Sequence, residues 1–594
     1  MSSLPKTVSH ARAEGAAVSR QGLLYRIWPR GLSLALPEVG PNTLLMLVVP
    51  YLALTQNLSF FRAVAGSLPS PAGWQEWRIM GSVAVALVVL LGLALCLLAW
   101  RRTLKPVLVV FLVAAAVCSY FMDSFGTVID RAMLVNVART DRHEAGDLLQ
   151  FSLFLHVALQ GLLPAWLVMR WPLRWEGAGA ELLRRLMLAG ALVVMLLAVF
   201  LPQQHELMIW GRIHRDVRVY VNPTFPLHSV KRYVQDILPK GPRLPPQPIA
   251  TDAVRSAAVS ARPLLVVLVV GETTRAANFQ LNGYGRETTP RLAKIPGLVN
   301  FPNVTACGTY TAESVPCMFS IDDRGAFSRG REEKQENLVD LLKRVGVKIG
   351  WRDNDSGCQN VCSRVGMESL DAAVDPVLCE GGECHDGILL RDLGLHYPAA
   401  GAKLLVLHTK GSHGPAYYKR YPESARAFTP DCRDANVQRC TREETVNAYD
   451  NTIVYTDQVL SELVRNLESR QGQMDSVMIY VSDHGESLGE NGTYLHGLPW
   501  QLAPPEQKQV PMVAWFSRGA PQALGVDLGC VGKTASLPRS HDDVFSTLLG
   551  LFSVKTRAYE AKEDLFGSCR RPVVADNEGK AAEQDGRGQA GRAT

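Results

Sequence analysis

The sequence predicts a protein in two parts: a membrane α-helical bundle of five spans, and an α/β domain with a mostly parallel sheet. Two observations predict this fold class. Long apolar runs are concentrated in the first third of the 594 residues. Later runs of aliphatic and β-branched residues alternate with helical patterns, which is typical of a parallel sheet covered by helices. A chain of this length also exceeds what one hydrophobic core organises, so two or more domains are expected.

Five apolar segments have the length and composition of membrane-crossing helices. They cover residues 41–61, 79–100, 106–122, 148–169 and 186–201. Pro50 is expected to kink the first span, a feature that membrane helices tolerate. One such run would also fit a buried helix of a soluble protein, but five in succession favour a membrane domain.

The basic residues predict the orientation of these spans, because cytoplasmic loops are enriched in Lys and Arg. Basic clusters precede the first span and follow the second and fourth spans. They comprise Lys6, Arg12, Arg20, Arg26 and Arg30, then Arg101, Arg102 and Lys105, then Arg170, Arg174, Arg184 and Arg185. An odd number of spans then places everything after residue 202 outside. The net charge is only +6, and its placement between apolar runs favours a membrane and not a nucleic-acid partner. No cleavable signal peptide is evident, so the first span is expected to remain as an anchor.

Ten of the twelve cysteines lie after residue 300, whereas Cys96 and Cys118 lie in apolar runs. Four close pairs are evident, and two cysteines remain as a fifth pair. The pairs are Cys307 with Cys317, Cys358 with Cys362, Cys379 with Cys384, Cys432 with Cys440, and Cys530 with Cys569. Without a four-ligand zinc pattern, an even count in short loops predicts disulfides in an oxidising compartment. This agrees with an outer location for the second half.

Four segments of the chain follow from these patterns. Residues 1–202 form the predicted transmembrane domain, and residues 203–262 form amphipathic interfacial segments and a linker stiffened by prolines such as Pro242. Residues 263–571 form the predicted α/β domain. Residues 572–594, rich in Gly, Ala and charge, are expected to be disordered.

The segment from residue 476 to residue 496 carries the strongest local signal for chemistry. Its apolar run 477–481 predicts a buried strand that ends at Asp483 and His484. Open α/β sheets keep their sites at this end of their strands. A carboxylate and an imidazole suit Zn²⁺, and Gly485 is expected to allow a sharp turn. Taken alone, the segment fits a polar strand exit in solvent equally well.

A second strand, 264–270, is a nearly continuous aliphatic run that also ends at an acid, Glu272. Further strands are predicted at 347–351, 403–408 and 512–516, and an amphipathic helix at 443–467.

Thr311 lies between Cys307 and Cys317, where a short helix is expected to begin. The positive end of a helix favours a phosphate, although a Thr at this place is more often an N-cap. A free hydroxyl also needs activation to act as a nucleophile. His413 and His496 follow strand ends, and each alone fits an exposed loop histidine. His408 is interpreted as a core residue and Ser540-His541-Asp542-Asp543 as a helix cap.

Taken together, these segments closely resemble the lipid A phosphoethanolamine transferases, which include the transferable colistin-resistance enzymes and belong to the alkaline-phosphatase-like superfamily. The resemblance runs from the first span to about Phe552. Its most specific stretches are GETTRAANFQLNGYGRETTP, CGTYTAESVPCMFS, KGSHGPAYYKRY, NAYDNTIVYTD and YVSDHGESLGENGTYLHG. It implies a sulfatase/alkaline-phosphatase-like fold for residues 263–571.

The resemblance also implies the site and the reaction. Glu272, Thr311, Asp483 and His484 match the family's zinc ligands, with Thr311 as the nucleophile. His413 and His496 match the pair that contacts the substrate phosphate or a second zinc ion. The 358/362 cysteine pair occurs in only some members. The implied donor is phosphatidylethanolamine, the acceptor is a lipid A phosphate, and the intermediate is a phosphoethanolamine-threonine. The implied location is the bacterial inner membrane, with the catalytic domain in the periplasm and the protein as a monomer.

Other functions stay open at this point. The acceptor could equally be core heptose or periplasmic glucan, and a glycerol-phosphate transferase shares the Thr nucleophile and five spans. A sulfatase would need Cys-x-Pro-x-Arg, or Ser in place of that Cys, and neither follows Cys307 or Cys317. A membrane-anchored module with structural zinc is the non-enzyme alternative, although structural zinc sites are closed and usually rich in Cys. Whether the chain confers polymyxin resistance is likewise open.

Overall fold

The computed structural model describes residues 36–69, 73–139, 142–238, 245–256, 262–370 and 375–571. The basic residues predicted before the first span, from Lys6 to Arg30, lie outside the described residues, as do Pro242 of the linker and the tail 572–594.

Helices make up the first part of the chain. They are α1 Pro41–Thr55, α2 Leu58–Gly66, α3 Trp74–Leu98, α4 Leu104–Phe125, α5 Arg131–Arg139, α6 Arg142–Leu148, α7 Phe151–Val157, α8 Leu163–Arg170, α9 Ala178–Phe200, α10 Gln204–Ile213 and α11 Thr224–Ile237. A π-helical turn, Ala158–Leu162, joins α7 to α8.

Four helical segments of the described chain are long and apolar enough to cross a membrane, and α1 with α2 makes a fifth if this bent pair is one span. The four are Trp74–Leu98, Leu104–Phe125, Phe151–Arg170 and Ala178–Ile213. The predicted fold class of several apolar helices before an α/β domain is thus confirmed.

The first span was predicted to bend at Pro50, and this prediction is wrong. Pro50 lies inside α1, and the chain turns by 52° between Thr55 and Leu58. Asn57 explains this position: its amide donates to the carbonyls of Leu52 and Asn222, at 2.9 Å each. Side-chain hydrogen bonds thus satisfy backbone groups that the broken helix leaves open.

The remaining helices lie in the α/β domain, which also holds the strands. The helices are α12 Thr311–Met318, α13 Arg329–Glu332, α14 Leu338–Arg344, α15 Arg442–Glu468, α16 Pro505–Lys508, α17 Ala520–Leu524, α18 Leu528–Thr534 and α19 Asp543–Leu551. The strands are β1 Val254–Arg255, β2 Leu264–Gly271, β3 Val299–Thr305, β4 Lys348–Asp353, β5 Glu368–Ser369, β6 Cys379–Glu380, β7 Glu383–Cys384, β8 Ala402–His408, β9 Asp475–Ser482, β10 Ser487–Leu488, β11 Tyr494–Leu495, β12 Gln509–Phe516, β13 Arg539–Ser540 and β14 Val554–Lys555.

Eight strands form one sheet in the order β13-β3-β12-β9-β2-β8-β4-β5. All neighbouring pairs are parallel except those of β12, which runs antiparallel to both β3 and β9. The predicted, mostly parallel sheet is therefore confirmed, but its strand at 512–516 has the opposite direction. Sequence patterning did not predict β3 and β13.

Apolar side chains fill the space on both faces of the sheet. Val266, Leu268 and Val270 pack into one core, whereas Leu265, Val267 and Val269 pack into the other. This alternation explains why β2 is aliphatic at nearly every position. The five predicted cysteine pairs form five disulfides.

The α/β domain also packs against the membrane helices. Tyr494 and Leu495 contact a small apolar cluster of Tyr120, Phe125 and Leu153. Asp147 in α6 lies 2.5 Å from the Lys419 ammonium.

Candidate functional site

The register of the central strands brings two predicted site residues together. β2 pairs in parallel with β9 so that Gly271 lies opposite Ser482. The next residues, Glu272 and Asp483, therefore leave the sheet side by side at its carboxyl edge. The Asp483 amide donates to the Gly271 carbonyl at 2.9 Å, which extends the ladder to the site itself.

Thr311 is the first residue of α12, and Tyr310 occupies the N-cap position. The alternative that Thr311 serves as the N-cap is therefore wrong. Its hydroxyl lies instead 3.1 Å from Glu272 Oε2 and 3.3 Å from His484 Nε2. The Cys307–Cys317 disulfide spans this helix, and the Ser314 hydroxyl donates to the Asp483 carbonyl at 2.5 Å. These contacts hold α12 against the sheet edge.

The four residues predicted as zinc ligands thus lie within one cluster. His484 Nε2 lies 3.4 Å from Glu272 Oε1 and 3.3 Å from Asp483 Oδ2. Glu272, Asp483 and His484 are fully buried, and Thr311 is 5% exposed.

Burial controls the protonation of these groups. Burial raises the pKa of Glu272 well above its ordinary value, and the neighbouring Asp483 raises it further. Burial also raises the pKa of Asp483 to about 7. The pKa of His484 falls to about 4 because burial disfavours the imidazolium. Two buried carboxylates facing a neutral imidazole form an arrangement that a divalent cation would neutralise.

Hydrogen bonding shows that these residues fit a metal ion. Asp483 Oδ2 is buried and accepts no hydrogen bond from the described residues. His484 Nδ1 lies 3.0 Å from the Gly485 carbonyl, so this nitrogen donates and Nε2 presents its lone pair to the cluster. Metal-binding histidines typically donate their other ring nitrogen to such a carbonyl. Nitrogen, carboxylate and hydroxyl donors suit Zn²⁺.

His413 and His496 lie at the mouth of this cluster, each 7% exposed. Their ring centroids lie 5.2 Å apart, and the ring of His496 lies 4.4 Å from that of His484. His413 Nε2 lies 4.0 Å from Glu272 Oε1. All six predicted site residues therefore converge, with the histidine pair between the buried cluster and the surface.

Glu486 positions His496 and was not predicted as a site residue. Its Oε2 lies 2.8 Å from His496 Nδ1, and its Oε1 accepts a hydrogen bond from Tyr417 at 2.6 Å. Burial raises the pKa of Glu486 to about 8. Its position two residues after His484 was the available signal.

Two further histidines lie nearer the site than the sequence indicated. His541 is buried between Cys307 and β9. Its Nδ1 accepts a hydrogen bond from the Cys307 backbone amide at 3.1 Å, and its Nε2 lies 2.9 Å from the Ser482 carbonyl oxygen. His408 ends β8 beside Glu272. No local pattern distinguishes such residues from capping or core histidines.

Gly485 is required for a reason that the sequence did not indicate. Its φ is not among the positive values of this chain, but a Cβ at this position would collide with the Glu506 carbonyl oxygen. Close approach of two backbones therefore requires a glycine at this position.

Comparison with known families agrees with both halves of the chain. Residues 265–554 match the family described as Sulfatase. Residues 87–238 match the family described as Phosphoethanolamine transferase EptA/EptB.

Individual relatives cover almost the whole chain. The phosphoethanolamine transferase EptA of Escherichia coli (strain K12) is 37% identical over 543 residues, which cover 90% of this chain and 98% of that protein. The phosphatidylethanolamine transferase Mcr-1 of Escherichia coli is 38% identical over 533 residues, which cover 87% and 96%. A solved structure, the integral membrane lipooligosaccharide phosphoethanolamine transferase A (EptA) from Neisseria meningitidis, is 37% identical with a TM-score of 0.85 over 90% of this chain and all of that one. With this identity, coverage and fold, the chain belongs to the family of phosphoethanolamine transferases that includes EptA and Mcr-1.

Proposed function

We propose that this protein transfers phosphoethanolamine from phosphatidylethanolamine to a phosphate of lipid A, with Thr311 as the nucleophile. The observation that carries the proposal is the position of the Thr311 hydroxyl, between Glu272 and His484 at the start of α12. The similarity to the phosphoethanolamine transferase EptA supports the transferred group, and the similarity to the phosphatidylethanolamine transferase Mcr-1 supports the donor.

In the first half-reaction, the Thr311 oxygen attacks the phosphorus of phosphatidylethanolamine. The bond from phosphorus to the glycerol oxygen breaks, and diacylglycerol leaves after its oxygen accepts a proton. The threonine hydroxyl loses its proton toward Glu272, whose two carboxylate oxygens lie 3.1 and 3.3 Å from the Thr311 oxygen. The positive end of α12 lies at the same place and favours the phosphoryl charge.

In the second half-reaction, an oxygen of a lipid A phosphate attacks the phosphoethanolamine-threonine, and the threonine oxygen leaves and regains its proton. His413 and His496 at the mouth of the cluster hold phosphate oxygens or carry these protons. Burial lowers the pKa of His496 to about 4. A neutral ring held by Glu486 through Nδ1 leaves Nε2 for the substrate.

Glu272, Thr311, Asp483 and His484 would hold the zinc ion of the site. When bound there, zinc supplies positive charge that lowers the pKa of the threonine hydroxyl and offsets charge on the phosphoryl group. His413 and His496 could also bind a second zinc ion.

The proposed location is the bacterial inner membrane with the α/β domain in the periplasm. Both lipids lie in a bilayer, and the apolar helices of residues 41–213 would bring the site to them. The disulfides are consistent with the oxidising periplasm. Adding an amine to lipid A offsets phosphate charge and should weaken the binding of cationic peptides.

Mass spectrometry of lipid A from cells that express the wild type, Thr311→Ala or Thr534→Ala tests the proposal. The wild type should show a phosphoethanolamine mass addition that Thr311→Ala abolishes, because no other hydroxyl occupies its place. Thr534→Ala is the matched control, because its hydroxyl bonds only within and beside α18. A mass addition that persists in Thr311→Ala would refute the nucleophile.

Peptide mapping separates the remaining alternatives. After incubation with phosphatidylethanolamine, a phosphoethanolamine adduct on the Thr311 peptide supports an enzyme of this class even if lipid A stays unmodified, and core heptose or glucan then becomes the acceptor to examine. A glycerol-phosphate adduct instead would favour a glycerol-phosphate transferase. No adduct and no modified acceptor would favour a module with structural zinc.

A further inference from the structure

Three neighbouring strand ends form a second polar cluster beside the proposed zinc site. β8 lies between β2 and β4, with His408 opposite Val270 on one side and Asp353 on the other. Asp355 follows two residues after β4, and Glu272 follows β2. One ligand atom from each of Glu272, Asp355 and His408 lies within 4.8 Å of the other two. All three residues are buried.

The imidazole of His408 is oriented in the manner of a metal ligand. Its Nδ1 lies 2.7 Å from Asp353 Oδ1, so this nitrogen donates to a buried carboxylate. Its Nε2 is buried and has no hydrogen-bond partner among the described residues. Carboxylate, imidazole and metal commonly occur in this order, because the carboxylate orients the ring and increases its basicity.

The unpartnered nitrogen points toward carboxylates. Asp355 Oδ2 lies 4.0 Å from His408 Nε2, which is too long for a hydrogen bond. A buried polar atom without a hydrogen-bond partner destabilises the folded protein. A cation between the ring and the carboxylates would satisfy His408, Asp355 and Glu272 together.

We propose that Glu272, Asp355 and His408 form a second divalent-cation site, which shares Glu272 with the proposed zinc site. Imidazole and carboxylate donors suit Zn²⁺ or Mn²⁺. This ion is distinct from any ion at His413 and His496. The proposal deepens the proposed function, because a shared carboxylate would fix Glu272 beneath Thr311 and bring a second positive charge to the nucleophile.

Elemental analysis of the full-length protein, purified in detergent with zinc and freed of unbound metal, tests the proposal. His408→Gln and Asp355→Asn should each hold one fewer ion per chain than the wild type. Glu272→Gln should lose more metal ions per chain than either of these variants, because both proposed sites use Glu272. His385→Gln is the control, because its ring contacts Tyr455 and supplies no ligand atom to the cluster, and it should keep the wild-type metal content.

Cobalt substitution gives a second measurement if a variant folds poorly. The visible absorption of the cobalt-loaded wild type should lose one component in Asp355→Asn, whose side chain lies at the edge of the cluster, while near-ultraviolet circular dichroism stays unchanged. Equal metal content in the wild type, His408→Gln and Asp355→Asn would overturn the proposal. The proposal would also be overturned if the double variant His413→Gln/His496→Gln lost the second ion while His408→Gln kept it.

The outcome is separable from that of the proposed function. A phosphoethanolamine adduct on Thr311 with unchanged metal content in His408→Gln would refute the second site alone. The loss of one ion in His408→Gln without any adduct in the wild type would refute the transfer alone.

Discussion

At the scale of single residues, the site depends on side chains that touch no substrate. Glu486 lies fully buried between Tyr417 and His496 and holds one ring nitrogen of the histidine. Loss of such a partner typically lowers activity or metal affinity about 10- to 100-fold. Glu486 is therefore a positioning residue for the proposed reaction.

Glu486→Gln should lower the transfer rate by about 10- to 100-fold, because an amide holds the His496 ring less firmly than a carboxyl group does. Tyr417→Phe, which removes one hydrogen bond to Glu486 and leaves its bond to His496, should lower the rate less. Glu462→Gln on the exposed face of α15 is the control. Phosphoethanolamine transfer to lipid A by purified protein measures the effect. A wild-type rate and pH profile in Glu486→Gln would contradict this role.

Glu332 lies outside the candidate site, and its raised pKa predicts that the stability of the protein depends on pH. Burial raises the pKa of this carboxyl group to about 7 in the folded chain, so folding favours its protonated form. Its contribution to stability is full below the ordinary pKa and is lost as the pH rises through about 7.

Glu332→Gln cannot ionise and should therefore melt at a higher temperature than the wild type at about pH 8, with little difference at about pH 4. Glu468 is exposed, so the melting temperature of Glu468→Gln should differ little from that of the wild type at either pH. Thermal unfolding of the purified protein at both pH values measures it. If the difference in melting temperature between Glu332→Gln and the wild type were the same at both pH values, the Glu332 carboxyl group would not titrate between about pH 4 and about pH 8.

At the scale of elements, the bent first span shows how a side chain completes a broken helix. The Asn57 side chain donates to the Asn222 carbonyl and accepts from the Asn222 backbone amide. The Asn222 side-chain amide donates to the carbonyls of Gln56 and Ala115. These bonds tie the break to α4 and to the segment before α11. The bend is thus part of the packing of several helices.

Asn57→Ala should destabilise the protein by roughly 1–3 kcal/mol, because it leaves the buried carbonyls of Leu52 and Asn222 without their donor. Thr55→Ala, which removes an exposed hydroxyl two residues away, should have little effect. Thermal unfolding in detergent or nanodiscs compares them. Equal melting temperatures would mean that the bend does not depend on Asn57.

At the scale of the whole molecule, ionic and apolar contacts join the membrane helices to the α/β domain. Asp147 lies 2.5 Å from Lys419 and 3.6 Å from Arg420. The cluster of Tyr120, Phe125 and Leu153 packs against Tyr494 and Leu495, next to His496. These contacts set the position of the candidate site relative to the membrane helices.

Asp147→Asn should increase amide hydrogen exchange at residues 417–421, because it removes the charge that attracts Lys419 and Arg420 to the membrane domain. Glu206→Gln, which breaks the more exposed Arg78–Glu206 pair within the membrane part, is the control. Exchange measured by mass spectrometry in nanodiscs compares the two. Unchanged protection in Asp147→Asn would show that apolar packing alone holds the domains.

Much of the fold followed from composition and periodicity. Apolar runs predict helices that cross a membrane because every backbone polar group must be satisfied in lipid. The aliphatic run of β2 predicts a strand buried on both faces. By contrast, the antiparallel direction of β12 and the bend after Thr55 depend on partners far away in the chain. The local sequence pattern around a strand or helix does not indicate which distant residues it will contact.

The sequence by itself determined the kinds of elements, the acids and histidines at strand ends, and, through its resemblance to a family, six residues of the site. Only the tertiary structure decided that Gly271 lies opposite Ser482, that Thr311 faces Glu272, and that His408 and His541 lie beside the site. The physical reason is that chemistry depends on distances of a few ångströms between residues that are hundreds of positions apart. Strand register and packing set those distances.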